Sequence, residues 1–218
     1  MHPAAILFDL DGTLVDSERE NVESVVLATA RHGAVLSDEE RGFVIGHSWN
    51  EIYAMIARNH ALTLSMPELI ALAVEEKRAL VAATGYRALP GAHAAVARLG
   101  ARSKLAVVSG ASRAEVLDAL TGLGILDRFA VVLGAEDYQR GKPAPDPYLL
   151  ALERLDAPAA GAIAIEDATP GIVAARAAGA RVIGVRAGNF AGYDLTPADI
   201  VVDTLDDVTD ELCAALLA

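Results

Sequence analysis

The sequence predicts an α/β protein: a doubly wound parallel sheet core interrupted by an inserted helical domain. Three observations carry that expectation. Short, continuous apolar runs, many of them rich in β-branched residues, recur along the chain. Helical periodicities alternate with them, and one long segment after the first run holds helical periodicity alone.

The first run, AAILF at 4–8, shows no polar alternation, so its strand is expected to be buried on both faces. KLAVVS (104–109), FAVVLG (129–134), GAIAIE (161–166), RVIGVR (181–186) and DIVVD (199–203) share that character. Helical stretches lie between them: GAHAAVARLGA, SRAEVLDALTGLG, PDPYLLALERLDA and GIVAARAAGA. This alternation winds into an open sheet with helices on both faces, a Rossmann-like core. From about Ser17 to Ala88 the pattern changes. ENVESVVLATARHG, SWNEIYAMIARNH and MPELIALAVEEKRALVAA read as helices with no strand among them. That length is too great for a loop. We therefore assign residues 1–16 and 89–218 to the α/β core and 17–88 to an inserted α-helical cap domain. An insertion after the first strand falls at the carboxyl ends of the strands, where ligands bind in open α/β sheets.

Composition narrows the function. The 218 residues are 53% hydrophobic, enough for a sizeable core. Thirty acidic residues against 18 basic ones give a formal charge of -12. That field repels duplex nucleic acid and anionic membrane surfaces, so neither is an expected partner. An anionic substrate must instead meet local positive charge. The single Cys213 excludes a disulfide framework and a cysteine zinc site, and reads as a small apolar residue on a helix face. No basic leader region precedes the first apolar run, and no apolar stretch is long enough to span a bilayer. A cytoplasmic protein is expected, with a monomer favoured.

The first strand ends in Asp9, with Asp11 and Gly12 close behind. A carboxylate ionised at neutral pH can attack phosphorus and form an aspartyl phosphate. Magnesium, which prefers oxygen ligands, relieves the repulsion between carboxylate and phosphate. Asp11 is placed to donate a proton to the leaving oxygen and later take one from water. Gly12 permits a sharp turn beside the phosphate. An EF-hand loop is the rival explanation of this acidic run. It fails because Leu14 stands where the loop needs glycine and because a strand precedes the run.

Other strand ends add to the pattern. VVSGAS puts Ser109 and the Gly110 amide at a strand-to-helix junction, where a hydroxyl and backbone amides can hold phosphate oxygens. Taken alone, Ser109 reads as a helix N-cap. RGKPAPDPY sets Lys142 on a proline-rich turn, able to balance clustered acids and a phosphoryl group. IEDATPG ends a buried strand in Glu166 and Asp167, adjacent acids whose repulsion a cation would relieve.

With these motifs in order, the chain resembles the haloacid dehalogenase-like superfamily over nearly its full length. DLDGTLVD is similar to its first motif, VVSGAS to its second, GKPAPDPY to its third and IEDATPG to its fourth. The resemblance implies Asp9 as nucleophile, Asp11 as acid/base, Ser109 and Lys142 as phosphate-side groups, and Asp167 with Glu166 at the metal. Asp9 and Asp11 also enter the expected magnesium set, Asp11 chiefly through its backbone carbonyl. The helical insertion resembles the small cap of the group containing phosphoglycolate phosphatase and β-phosphoglucomutase, which implies a cap that selects the substrate. GFVIGHSWNEIY (42–53) aligns with the substrate-facing stretch of such caps, making His47, Trp49 and Asn50 candidate contacts. Each has an ordinary alternative: Trp49 in packing, Asn50 as a helix cap, His47 in solvent.

A magnesium-dependent phosphatase acting on a small phosphorylated metabolite, of the sugar or polyol phosphate class, is the expected function. A phosphomutase of the β-phosphoglucomutase type is the alternative. The position of Asn21, where that enzyme has histidine, and the lack of arginine in 44–52 speak against it. A metal-free dehalogenase has no use for Asp11 and the Glu166–Asp167 pair. A catalytically silent phosphometabolite-binding protein is the remaining alternative, although every expected catalytic position is filled.

Overall fold

All six apolar runs form strands in the structure, a computed structural model that describes residues 2–218. They are β1 (Ala5–Phe8), β2 (Lys104–Val108), β3 (Val131–Leu133), β4 (Ala162–Glu166), β5 (Arg181–Val185) and β6 (Ile200–Val202). All pair in parallel, in the order β3-β2-β1-β4-β5-β6. The chain builds outward from β1 through β2 to β3, then returns to lay β4 on the other side of β1. That reversal is the topological switch point at which such sheets bind ligands. Strands β1 and β4 are buried at every residue, which is why their sequences run apolar without alternation. Edge strand β6 is only half-buried.

Two compact units divide the chain. One takes the residues up to Asp16, Arg87–Asn189 and Tyr193–Ala218; the other takes Ser17–Tyr86 and Phe190–Gly192. The second unit is helical: α1 (Glu18–Ala30), α2 (Asp38–Val44), α3 (Trp49–Asn59) and α4 (Met66–Thr84). Its core gathers Val25, Ala28, Leu36, Val44, Ile52, Met55, Ile56 and Leu69. Helix α2 lies outside the stretches read as helical from periodicity, although Ser37 and Glu40 form a capping box at its start. Glu40 also accepts from Asn59 (2.8 Å) and His60 (2.9 Å) at the end of α3. The Asn59 bond, with that from the Ser37 amide, holds the Glu40 carboxyl down to about 2.

The sheet unit adds α5 (Ala92–Gly100), α6 (Arg113–Gly122), α7 (Asp146–Leu155), α8 (Thr169–Ala177) and α9 (Asp210–Leu216). Helix α7 packs Tyr148, Ala151, Leu152 and Leu155 into a core shared with Leu7, Val108, Leu133 and Ala164. Cys213 is a fully buried free thiol on α9, pushed up to about 11 by burial, as befits a packing residue. The chain enters the long helical insertion after Asp16 and leaves it before Arg87, and these two ends are tied together. Asp16 donates its N–H to the Arg87 carbonyl (2.9 Å), and Leu89 donates to that of Leu14 (3.0 Å). Among the described residues no helix is long and apolar enough to cross a membrane.

Ile56 is fully buried at the centre of the helical unit. Truncation there deletes apolar contacts and leaves a cavity, so Ile56→Ala is expected to cost about 2–5 kcal/mol. Urea unfolding followed by circular dichroism would read this as an earlier transition. An unchanged midpoint would show that α3 is not anchored through this side chain.

Candidate active site

Register brings the motifs together. Phe8 pairs with Val107 on one side and Ile165 on the other, so β1, β2 and β4 end side by side. Asp9 follows β1 directly, Ser109 follows β2, Glu166 is the last residue of β4 and Asp167 follows it. The ladder continues past the strands: Asp9 donates its N–H to Ile165 (3.0 Å) and Ser109 donates to Leu133 (3.1 Å). After Asp9 the chain coils into a tight loop, with the amides of Leu14 and Val15 both bonded to the Leu10 carbonyl (2.8 and 2.9 Å). Gly12 turns it with a φ of 79°, and a Cβ there would strike the Asp167 carboxylate. Only glycine satisfies both constraints.

At the head of these strands Lys142 joins two acids. Its Nζ donates to Asp9 Oδ1 at 2.5 Å and to Glu166 Oε1 at 2.6 Å. The Tyr148 hydroxyl donates to the same Glu166 oxygen, and the Lys142 ammonium lies 5.3 Å from the centre of the Tyr148 ring. Thr13 donates weakly to Asp167 (3.4 Å). Asp9, Thr13, Ser109, Glu166 and Asp167 are all buried. Gly171 on α8 makes room for Glu166, since a Cβ there would overlap its carboxylate.

Burial of so many acids has an electrostatic cost. Desolvation pushes Asp9 up to about 7; Lys142 opposes the shift and Glu166 adds to it. Asp167 rises to about 9, through desolvation first and then the charges of Asp9 and Glu166. Desolvation also works against the Lys142 ammonium, but Asp9 and Glu166 outweigh it and hold its pKa well above the usual range. Carboxylate oxygens of Asp9, Glu166 and Asp167 lie within 4.8 Å of one another. Three carboxylates against one ammonium leave two negative charges uncompensated when all are ionised. An all-oxygen donor set with excess negative charge suits a hard divalent cation such as magnesium.

A family profile described as haloacid dehalogenase-like hydrolase matches residues 6–185, from β1 through β5. The chain belongs to that family. It is 35% identical over 212 residues to validoxylamine A 7'-phosphate phosphatase from Streptomyces hygroscopicus subsp. limoneus, covering 93% of this chain and 94% of that protein. It is 32% identical to hexitol phosphatase A from Escherichia coli (strain K12), covering 96% and 94%. A crystal structure of a CbbY variant from Rhodobacter sphaeroides, in complex with xylulose-(1,5)bisphosphate, superposes with a TM-score of 0.73 at 28% identity, covering 94% of this chain and 96% of that one. This haloacid dehalogenase-like hydrolase is thus an enzyme of the phosphoric monoester hydrolase class.

Within the hydrolase, the remaining sequence-predicted residues fall as follows. The Asp11 side chain is exposed and lies outside the Asp9–Glu166–Asp167 cluster. Ser109 is not a helix cap: that place at α6 belongs to Ser112, whose hydroxyl accepts from the Glu115 amide. The Ser109 hydroxyl accepts instead from the Ala111 amide (3.0 Å), and Gly110 beside it is exposed. In the helical unit, His47 stacks on Phe43 with ring centres 3.7 Å apart, Trp49 packs against the unit's core, and Asn50 is exposed in the first turn of α3. Ser48, not Asn50, caps that helix. Sequence reasoning passed over Tyr148 and Thr13. Tyr148 lay within the GKPAPDPY motif, but its apolar helical setting reads as ordinary core.

Magnesium binding to the hydrolase is expected to tighten with pH. Asp9 and Asp167 have folded-state values above the unfolded carboxylate value. The metal-free fold therefore has its full stability from these groups only below the unfolded value, and loses it as pH rises through about 7 and about 9. A bound cation takes the place of those protons. The rise in melting temperature on adding magnesium is thus expected to be larger at about pH 8 than at about pH 6. An equal or smaller rise at the higher pH would show that these carboxylates do not bind the ion.

Proposed function

We propose that the chain is a magnesium-dependent phosphatase that hydrolyses a small phosphomonoester of the sugar or polyol phosphate class through an aspartyl phosphate on Asp9. The carrying observation is the buried Asp9 carboxylate, held by Lys142 in the acidic cluster at the sheet's switch point. A carboxylate so held is pre-aimed, and phosphoryl transfer depends more on positioning and charge balance than on covalent complexity. The phosphate esters for which the two phosphatase relatives are named and the sugar bisphosphate held by the structural neighbour support the substrate class.

In this mechanism an Asp9 oxygen attacks phosphorus while the ester oxygen departs with its electron pair. Asp11 donates a proton to that oxygen, so the alcohol leaves neutral. Water then attacks the aspartyl phosphate, Asp11 takes its proton, and phosphate and free Asp9 are restored. Lys142 holds Asp9 and balances charge. The Ser109 hydroxyl and the Gly110 amide receive phosphate oxygens. Asp9, Asp167, Glu166 and the Asp11 backbone carbonyl would hold magnesium, which supplies charge neutralisation between nucleophile and phosphate when bound. Substrate selection falls to the helical unit, with His47, Trp49 and Asn50 as its candidate contacts.

Phosphate release from a panel of sugar and polyol phosphates is expected to need magnesium and to stop in excess chelator. Asp9→Asn keeps the shape of the side chain but lacks the attacking oxygen, so turnover is expected to vanish with the melting temperature little changed. Appreciable activity in this variant would point to direct attack by water, and isomerised sugar phosphate with little free phosphate would point to a mutase.

Asp11 has its own signature. Asp11→Asn removes both proton transfers, a loss of ~10²–10⁴-fold in rate for alkyl phosphates. Aryl phosphates, whose leaving group departs without a proton, are expected to lose less in single-turnover measurements. Magnesium affinity is expected to stay near that of the wild type, because the side chain lies outside the carboxylate cluster. Equal losses on both substrates with a collapse of magnesium affinity would assign the side chain to the metal instead.

A further inference from the structure

Tyr138 lies outside the four motifs, yet it touches one of them. Its hydroxyl donates to the backbone carbonyl of Ser109 at 2.7 Å. That carbonyl belongs to the Ser109–Gly110 peptide. In a trans planar peptide the C=O and the following N–H point in opposite directions. Fixing the carbonyl toward Tyr138 therefore fixes the Gly110 N–H away from it. Gly110 is exposed, and a Cβ built on it would meet no atom within 4 Å, so the space off its Cα is open.

Other contacts hold the two ends of this arrangement. Ser109 is anchored by its own N–H on Leu133 (3.1 Å) and by its hydroxyl, which accepts from Ala111 (3.0 Å). The segment carrying Tyr138 is anchored through its neighbour Asp137. That carboxylate accepts from the Gly134 amide (3.0 Å), from Arg154 (3.0 Å) and from Arg113 (3.2 Å). Gly134 in turn packs directly on the Arg113 backbone, where a Cβ would clash. Tyr138 thus bonds the strand end from a braced loop, and Lys142 follows on the same connection between β3 and α7.

We infer that Tyr138 is a positioning residue for phosphate recognition: by holding the Ser109 carbonyl it aims the Gly110 N–H at the substrate's phosphoryl oxygens. The inference rests on the proposed phosphatase function and assigns a residue to it that no motif supplies. A backbone N–H with a single fixed direction binds an oxyanion better than one free to tilt with its peptide plane, because no reorientation is needed on binding. Tyr138 makes its hydrogen bond to the Ser109 carbonyl and not to the acids of the cluster, although its hydroxyl lies near enough to Lys142 and Asp9 to feel their charges, so phosphate and magnesium affinity must be read side by side.

The test is Tyr138→Phe, which keeps the ring and deletes the donor. Inorganic phosphate, titrated calorimetrically in saturating magnesium, is expected to bind about 3- to 10-fold more weakly, the scale of one lost hydrogen bond. KM for a phosphomonoester is expected to rise by a similar factor, while magnesium affinity stays unchanged. In amide nitrogen–proton spectra, the Gly110 resonance is expected to move on phosphate addition in the wild type and to move less in the variant. A packing role alone would lower the melting temperature without this selective change. Unaltered phosphate affinity, or equal weakening of phosphate and magnesium, overturns the inference. Failure of the wild type itself to bind phosphate or release it from any ester would overturn the phosphatase function first, and the inference with it.

Discussion

The Lys142 ammonium between Asp9 and Glu166 is the contact on which the site depends. Two carboxylates about 4 Å apart repel by about 4 kcal/mol at an effective dielectric near 20, and burial makes each charge costlier still. The cluster holds three such groups at the ends of two adjacent strands. One ammonium, half-buried beside them, makes the arrangement tenable by bonding to two of them at once. Lys142 stands on the approach to α7, whose start is fastened by the paired bonds from Arg140 to Asp146 (3.0 and 2.9 Å). Tyr148 from the first turns of the same helix then shares the Glu166 oxygen. One helix start therefore supplies both donors that orient the acid ending β4.

This arrangement requires a parallel sheet. Only parallel strands end on the same side, so only there can residues from sequence positions 9, 109 and 166 meet without long loops. The hydrophobic strand bodies provide the stability that the polar strand ends take away. Phe8, Ile6, Leu7 and Ile163 are fully buried just behind the acids. The acids therefore stand on a rigid base, and their separations follow from strand register rather than from flexible side chains. Gly12 and Gly171 serve the same end by removing Cβ atoms from the places the carboxylates occupy.

This division explains what could be read in the sequence. Strands were legible because burial on both faces leaves an uninterrupted apolar run, and the acids were legible because each broke such a run at its end. The insertion was legible as a change of period. Helix α2 was not, since its seven residues are too few to show a period, although the Ser37–Glu40 spacing at its start was a usable signal. Tyr148 and Tyr138 were hidden for a different reason. A tyrosine in an apolar helix or a turn has the same local pattern whether its hydroxyl meets water or a strand end 29 residues away, as that of Tyr138 does. Nor can sequence choose among the contacts of His47, whose stacking on Phe43 arises from the turn between α2 and α3.

The charge balance also bears on how a phosphate dianion would be received. The chain carries a formal charge of -12, and the Lys142 ammonium beside Asp9 is already committed to two acids. In the proposed mechanism Lys142 therefore has little unshared charge for the substrate. What remains is the cation that the carboxylates would hold and the neutral donors of the Ser109–Gly110 turn. Neutral backbone donors suit this place because they add no new charge to a buried cluster already strained by several, and they are oriented by the fold before any ligand arrives. Attraction would then come from the metal and discrimination from directed N–H and O–H groups. In such a division of labour, the direction of one peptide plane at the end of β2 contributes a recognition of phosphate that the ion pairs of the cluster, already shared among the acids, do not supply.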